Sequence, residues 1–414
     1  MSEASKRVRI GYCVWLESLS EDVVKGQVLD VLEGIAARDD NFEIVVIAFT
    51  RLNDYLAHRE RWRDVRRDIG RRGLRLVVLP HVLFPGRFEL FFAKWHLLPV
   101  VAFFAFPALF LAARLLKLRI LHLRSYPLIP SAILLKKILP DRRIVLDTRS
   151  PFPEESVSSG KWKPASLTFR LWKRIEAAAV ANFDTTVCVT RAHADTLPQR
   201  DGPKPIHVIP NNAAGPNRSA EARAADYARR LATHAESFCF AYVGSLSRKG
   251  VSRPEVYGEV VILLRKLEFK HHFLFVTRET ELLRNTFDRL GIAQNEYTMK
   301  ACDPADVPDL LASAHAGLNF LNKPDLRMSV KTAEYLASGL PFICNDNVLG
   351  AQEIVRDFAV GISTTLASVE ANAGKLARNY KEFLDRARDM DKYFSTDRVA
   401  AEYHKLYSKL LDAA

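Results

Sequence analysis

The sequence predicts an α/β protein built from two Rossmann-like domains with parallel sheets, and three observations predict it. Short apolar runs rich in Val, Ile, Leu and Phe alternate with segments of helical period along most of the chain, the signature of parallel βαβ units. The alternation breaks once, over residues 210–235, which are rich in Asn, Ala and Arg, and then begins again. The length of 414 residues, with 48% hydrophobic and 26% charged residues, is that of a globular chain with sizeable cores and room for two or three domains.

Taken in order, the expected strands of the first series are residues 7–14, 43–49, 74–79, 120–123, 144–147, 185–189 and 207–209, with a helical period over 23–38. Those of the second are 238–243, 273–276, 317–320 and 342–344, separated by helical patterns at 254–266, 279–290, 304–313 and 329–337. The first domain is placed at 1–212 and the second at 213–390. Ser395 can cap a final helix within 391–414, on which Val399, Tyr403, Leu406 and Leu410 share one face. That stripe must dock on something.

The net charge of +12 points to phosphate-rich partners: nucleic acid, anionic lipid or phosphorylated small molecules. No zinc-finger or RNP-type motif supports nucleic acid. The five cysteines, Cys13, Cys188, Cys239, Cys302 and Cys344, are scattered without metal-ligand spacing, so buried free thiols are expected and no structural zinc. The N-terminus has no charged-then-apolar leader, which favours the cytoplasm.

The most informative stretch runs from Met328 to Cys344. A small polar residue, Ser329, opens a helix that carries Lys331 and Glu334 three apart on one face and stops at Gly339 and Pro341. Two readings stand. One is an ordinary amphipathic helix with an i,i+3 ion pair. The other is a cradle for a sugar nucleotide, with phosphates at the helix tip beside Lys331 and a ribose on Glu334. Further back, Gly244-Ser245-Leu-Ser-Arg248-Lys249-Gly250 follows a strand; it is either an exposed cationic turn or a loop that neutralises a diphosphate leaving group. Thr277 ends the next strand and can approach the same ligand.

In the first domain, polar groups collect where strands end, which is where open α/β sheets bind ligands. His122 and Arg124 stand on one strand with Tyr126 just beyond, and Asp147 and Arg149 on the next. His122 is either a satisfied core histidine or a functional one; Asp147 and Arg149 either position an acceptor or form an ion pair that fixes the loop. Gly26, after Ser18, Ser20 and Lys25, is read as the end of the loop that follows the first strand.

The pattern Ser329-x-Lys331-x-x-Glu334-Tyr-Leu-Ala-x-Gly339-x-Pro341 resembles the nucleotide-sugar signature of the family 4 retaining glycosyltransferases, which have the GT-B fold. The resemblance implies two Rossmann-like domains facing across a cleft, with the C-terminal helix crossing back onto the first. It implies transfer of a hexose from a nucleotide diphosphate sugar to a glycan or lipid-linked acceptor with retention, in bacterial envelope or exopolysaccharide synthesis. Glu334 would bind the donor ribose. Lys331, Ser329, Arg327, Gly244, Ser245, Thr277 and Gly26 would surround the donor, and Arg248 and Lys249 would hold its departing diphosphate. Arg124 and His122 would stand near the reacting sugar; Asp147, Arg149 and Tyr126 would meet the acceptor. Two positions depart from the pattern: Leu326 replaces an acid usually found eight residues before the glutamate, and Ser245 replaces an arginine. No DxD motif occurs in a suitable loop, so neither metal nor cofactor is expected. The rivals are a sugar-nucleotide epimerase of the same fold and a catalytically silent scaffold of a polysaccharide assembly complex.

Residues 51–117 are the odd segment. Nine arginines fall between Arg51 and Arg75, among them Arg59, Arg61, Arg63, Arg66, Arg67, Arg71 and Arg72, followed by an uncharged run from Leu97 to Ala113. That run approaches the ~20 residues of a membrane span, but Pro99 and Pro107 interrupt it and a span would split the βαβ series. It is read either as buried helices or as a monotopic patch in which Phe91, Phe92, Trp95, Phe103, Phe104, Phe106 and Phe110 enter lipid headgroups beside the arginines. The second reading places the protein at the inner face of the cell membrane.

Overall fold

The computed structural model describes residues 7–15, 17–21, 24–81, 105–198, 204–213, 219–248 and 251–413. The chain divides into two compact units, Met1–Ile209 with Val399–Ala414, and Pro210–Arg398. Each is built on one all-parallel sheet.

In the first unit seven strands, β1 (Val8–Trp15), β2 (Phe42–Arg51), β3 (Arg75–His81), β4 (Ile120–Arg124), β5 (Arg143–Asp147), β6 (Thr185–Cys188) and β7 (Ile206–Val208), lie in the order β3-β2-β1-β4-β5-β6-β7. Side chains alternate faces along a strand, and the two cores show it. Val45, Ile47 and Phe49 of β2 enter one cluster with Cys13 and Trp15 of β1. Ile44, Val46 and Ala48 enter the other, with Ile10, Tyr12 and Val14. Burial on both faces explains why these strands read as unbroken apolar runs.

The C-terminal helix Thr396–Asp412 belongs to the second of these clusters, where it buries Val399, Ala400, Tyr403, Leu406 and Tyr407. Part of the uncharged run forms the helix Phe106–Leu115, which buries Leu109, Ala112 and Ala113 in the first cluster and leaves Leu111 and Leu115 exposed. The aromatic residues from Phe88 to Phe104 lie outside the described residues, and no described helix is long and apolar enough to cross a membrane.

The second unit carries β8 (Phe238–Val243), β9 (His271–Val276), β10 (Tyr297–Lys300), β11 (Ala316–Asn319), β12 (Phe342–Asn345) and β13 (Gly361–Thr364), in the order β10-β9-β8-β11-β12-β13. Its two edge strands were not expected from the sequence. β10 is largely solvent-facing and β13 begins at Gly361, so neither shows the apolar run that marks the central strands. The apparent break at 210–235 contains a helix, Ala220–Thr233. Its buried anchor is an arginine: Arg230 donates to the carbonyls of Ser338 (2.8 Å), Gly339 (3.1 Å) and Leu311 (3.0 Å), so hydrophobic periodicity could not reveal it. Residues 304–313 are a 3-10 turn followed by the short helix Val307–Leu311. Gly26 lies buried inside a π-helical turn, Lys25–Leu29, that runs into the helix Asp30–Ala36, and not at the end of a loop.

Candidate functional site

Open parallel sheets bind ligands beyond the carboxyl ends of their strands, where strand order reverses. In the second unit that point lies between β8 and β11. Gly244 follows β8, and the chain leaving β11 leads into the helix Val330–Ala337.

The helix is fastened there by Ser329, expected from the sequence to open it, and by side chains not singled out in the sequence. Ser329 caps it by accepting from the Thr332 amide. Asn319, at the end of β11, donates to Ser329 Oγ (3.1 Å) and Thr332 Oγ1 (2.9 Å). β8 and β11 pair only through Phe240 and Ala241. Beyond that the Tyr335 hydroxyl bridges them, donating to Leu318 O (2.9 Å) and accepting from the Val243 amide (3.2 Å). Gly339 ends the helix with a left-handed φ of +63°.

Lys331 and Glu334 are both half-buried. Among the described residues no ion pair joins them. Lys331 Nζ donates to Ser252 Oγ at 3.4 Å and lies 4.8 Å from the centre of the Tyr242 ring. Its stem crosses Gly244, where φ is +126° and a Cβ would stand 3.4 Å from Lys331 Cε, so only glycine suits both the backbone and the lysine. The Glu334 carboxylate makes no hydrogen bond with any described residue. Burial pushes Lys331 down to about 8, against the pull of Glu334 and Asp325. Burial likewise pushes Glu334 up to about 7, with Lys331 opposing. A titrating acid and base on one face, each short of partners, mark a candidate site.

The loop after β8 is ordered by its backbone. Gly244 N donates to Val276 O (3.0 Å), Ser247 N to Ser252 O (3.0 Å), and the Tyr242 hydroxyl to Ser245 O (2.8 Å). Ser245 and Arg248 are exposed; Lys249 and Gly250 lie outside the described residues. Thr277 is buried and engaged: it donates to Glu279 Oε2 (2.7 Å), which also accepts from the Leu246 amide (3.1 Å). Glu279, unnoticed in the sequence, thus ties β9 to the loop. Arg327 is committed to Asp325, to which its Nη2 donates at 2.6 Å, so its charge is largely compensated.

In the first unit the order reverses between β1 and β4. His122 is wholly buried. Its Nε2 lies 3.3 Å from Asp147 Oδ2, its Nδ1 lies 2.8 Å from the Tyr407 hydroxyl, and its ring stacks on Tyr12 at 4.4 Å. Tyr403 donates to the same Asp147 oxygen (3.0 Å), and Arg149 Nη1 lies 3.6 Å from it. Gln27 Oε1 accepts from Arg149 (3.0 Å) and Arg124 (3.3 Å), while Arg124 Nε donates to Glu17 at 2.5 Å. Burial opposes the Asp147 charge, yet Arg149, His122 and Arg124 hold its carboxyl down at about 2. Burial lowers His122 against the pull of Asp147. Arg124 Nη1 and Asp147 Oδ1 are buried with no partner among the described residues. Tyr126 is not brought to this group; its hydroxyl donates to the buried Glu176 (2.6 Å).

No cluster of three or more potential metal ligands occurs among the described residues, and all five cysteines are free.

Two all-parallel α/β units of this kind define the fold class of the GT-B glycosyltransferases. Residues 25–212, most of the first unit, match the family described as glycosyl transferase 4-like domain. Among solved structures the chain is similar to Anabaena HepE in complex with UDP and glucose, at 13% identity and a TM-score of 0.60 over 97% of this chain and 100% of that one. It is similar to sucrose-phosphate synthase from Thermosynechococcus elongatus, at 16% identity and 0.68 over 99% and 100%. A glycosyltransferase from Rickettsia africae gives 14% identity and 0.63 over 99% and 100%. At such identities the likeness speaks for the fold. No curated protein sequence matches the chain significantly.

Proposed function

We propose that the chain is a glycosyltransferase that moves a hexose from a nucleotide diphosphate sugar to a glycan or lipid-linked acceptor. The observation that carries this reading is the pair Lys331 and Glu334 at the switch point of the second sheet, half-buried and underpartnered on a capped helix. A diphosphate at that N-terminus meets the first-turn amides that Ser329 does not cap and the Lys331 charge. The Glu334 carboxylate, one turn deeper, accepts from ribose hydroxyls. The Gly244 loop lets backbone approach the phosphates, and Arg248 and Lys249 add charge as the glycosidic bond breaks. Ser245 brings no charge of its own.

We infer retention, with the leaving diphosphate taking the acceptor proton on the face it departs from. No side-chain base and no metal is needed for that step. His122 is a positioning residue in this account: it is wholly buried and engaged by Asp147 and Tyr407. Arg124, with one unfilled donor, supplies electrostatic stabilisation, and Asp147 and Arg149 shape the acceptor side of the first unit. Arg59, Arg63, Arg66 and Arg71 on the helix Arg59–Arg71 are exposed and suit anionic lipid, which fits a lipid-linked acceptor at the inner face of a bacterial membrane.

A thermal-shift screen against nucleotide sugars, UDP-sugars first, tests the reading, because a ligand of the native state raises apparent stability. At least one is expected to raise the melting temperature, and Glu334→Ala to abolish the rise without unfolding the protein. Binding followed by epimerisation without acceptor would assign a sugar-nucleotide epimerase instead. Silence across the panel in a folded sample would favour a scaffold.

A further inference from the structure

The first unit contains a cavity of about 280 Å³ beyond the carboxyl ends of β1 and β2, one strand away from the switch point. Its size sits at the lower edge of the ~300–1,000 Å³ of small-molecule sites, which suits one small ring. Its walls are of two kinds. Trp62 supplies aromatic surface, with the buried Trp15 behind it, and the indole N–H of Trp62 is buried with no hydrogen-bond partner among the described residues. Charged groups complete it in equal number: Arg51 and Arg61 against Glu17 and Asp54.

Several of these groups already have partners. Arg61 donates to the hydroxyls of Ser18 and Ser20, which also line the cavity. Glu17 is held by Arg124 at 2.5 Å. Asp54 accepts from Thr50 Oγ1 at 3.3 Å and stands 3.7 Å from His58 Nε2. A phosphate would meet two carboxylates as well as the two arginines. A neutral polyhydroxyl ring finds what it needs: flat apolar surface for its C–H face, and donors and acceptors at the rim for its hydroxyls. Through Glu17 the cavity is joined to Arg124, hence to the polar group around Asp147.

We propose that this cavity is a saccharide subsite that seats one neutral hexopyranose unit. Its assignment to the acceptor glycan rests on the glycosyltransferase reading; its sugar chemistry does not.

The test is a titration of the full chain carrying ¹⁵N-labelled tryptophan, read at the indole N–H signals. The probes are the methyl glycosides of glucose, galactose and mannose, with inorganic phosphate as the contrasting ligand and no nucleotide sugar present. Trp62, assigned by Trp62→Phe, is expected to shift saturably with at least one glycoside, while Trp162 and Trp172, which do not line the cavity, stay still. Asp54→Asn and Arg61→Gln are each expected to weaken that binding about tenfold, the loss of one charge-assisted hydrogen bond. Absence of a Trp62 shift with all three glycosides overturns the proposal, as does a shift with phosphate alone; the wild-type titration decides without any variant. Failure here beside successful nucleotide-sugar binding removes the subsite only. Glycoside binding in a protein that ignores every nucleotide sugar removes the transferase reading only.

Discussion

The polar group behind β4 and β5 and the one between β8 and β11 occupy equivalent places in two sheets of the same kind, yet they are finished differently. In the first, His122, Asp147, Arg149, Arg124 and Gln27 engage one another, and Tyr403 and Tyr407 from the C-terminal helix close the network. Only Arg124 Nη1 and Asp147 Oδ1 remain open. In the second, the uncharged residues, Asn319, Ser329, Thr332 and Tyr335, do the fastening, while Lys331 keeps one long contact and Glu334 none. Charges satisfied from within hold a fold together. Charges kept half-buried and underpartnered are poised for something that comes from outside.

The comparison breaks most visibly if Asp147→Ala is harmless. Removing one partner of a buried ionic network costs about 3–5 kcal/mol, so denaturant unfolding should show a loss of that size. A loss below about 1 kcal/mol, the worth of an exposed pair, would mean the first network is not structural. Lys331→Met is the converse case. It removes a desolvated charge, so stability should hold or rise, while nucleotide-sugar affinity by titration calorimetry should fall roughly 10–100-fold, the loss of one charge-assisted contact. A variant that unfolds with unchanged affinity would reverse the two assignments.

The third test is in pH. The Glu334 pKa, raised to about 7, makes the native state bind more protons than the unfolded chain, so its contribution to stability falls as pH rises from about 4.5 to 7. Lys331, lowered to about 8, binds fewer in the native state, so its contribution recovers from about 8 to 10.5. The ligand-free protein should therefore lose stability where both groups are charged, between about 7 and 8, and donor affinity should peak in the same window. Comparison of wild type with the Lys331→Met, Glu334→Gln double variant isolates the dip; identical pH profiles would show that the pair is not desolvated.

Legibility followed side-chain type. Central strands announced themselves because burial on both faces makes them apolar throughout, and the helix 330–337 because cap, charges and stop signal all fall inside one short stretch. The edge strands β10 and β13, the helix anchored by Arg230 and the tyrosines of the C-terminal helix did not. Tyr403 and Leu406 were readable as an apolar stripe, but not that two tyrosine hydroxyls on that helix reach His122 and Asp147, some 250 or more residues earlier in the chain. Gln27, Glu279 and Asn319 escaped for the same reason: a neutral amide or a lone carboxylate becomes informative only when its partner is known.

The sequence by itself determined the two parallel sheets, their order along the chain and the placement of Lys331 and Glu334 one turn apart, since each depends on local periodicity and capping. Tertiary structure alone decided which charges would be compensated. It set His122 in the core beside Asp147 and left Lys331 and Glu334 short of partners at the point where the second sheet reverses. Desolvation and pairing depend on what long-range folding brings alongside a group, and no spacing within one segment encodes that.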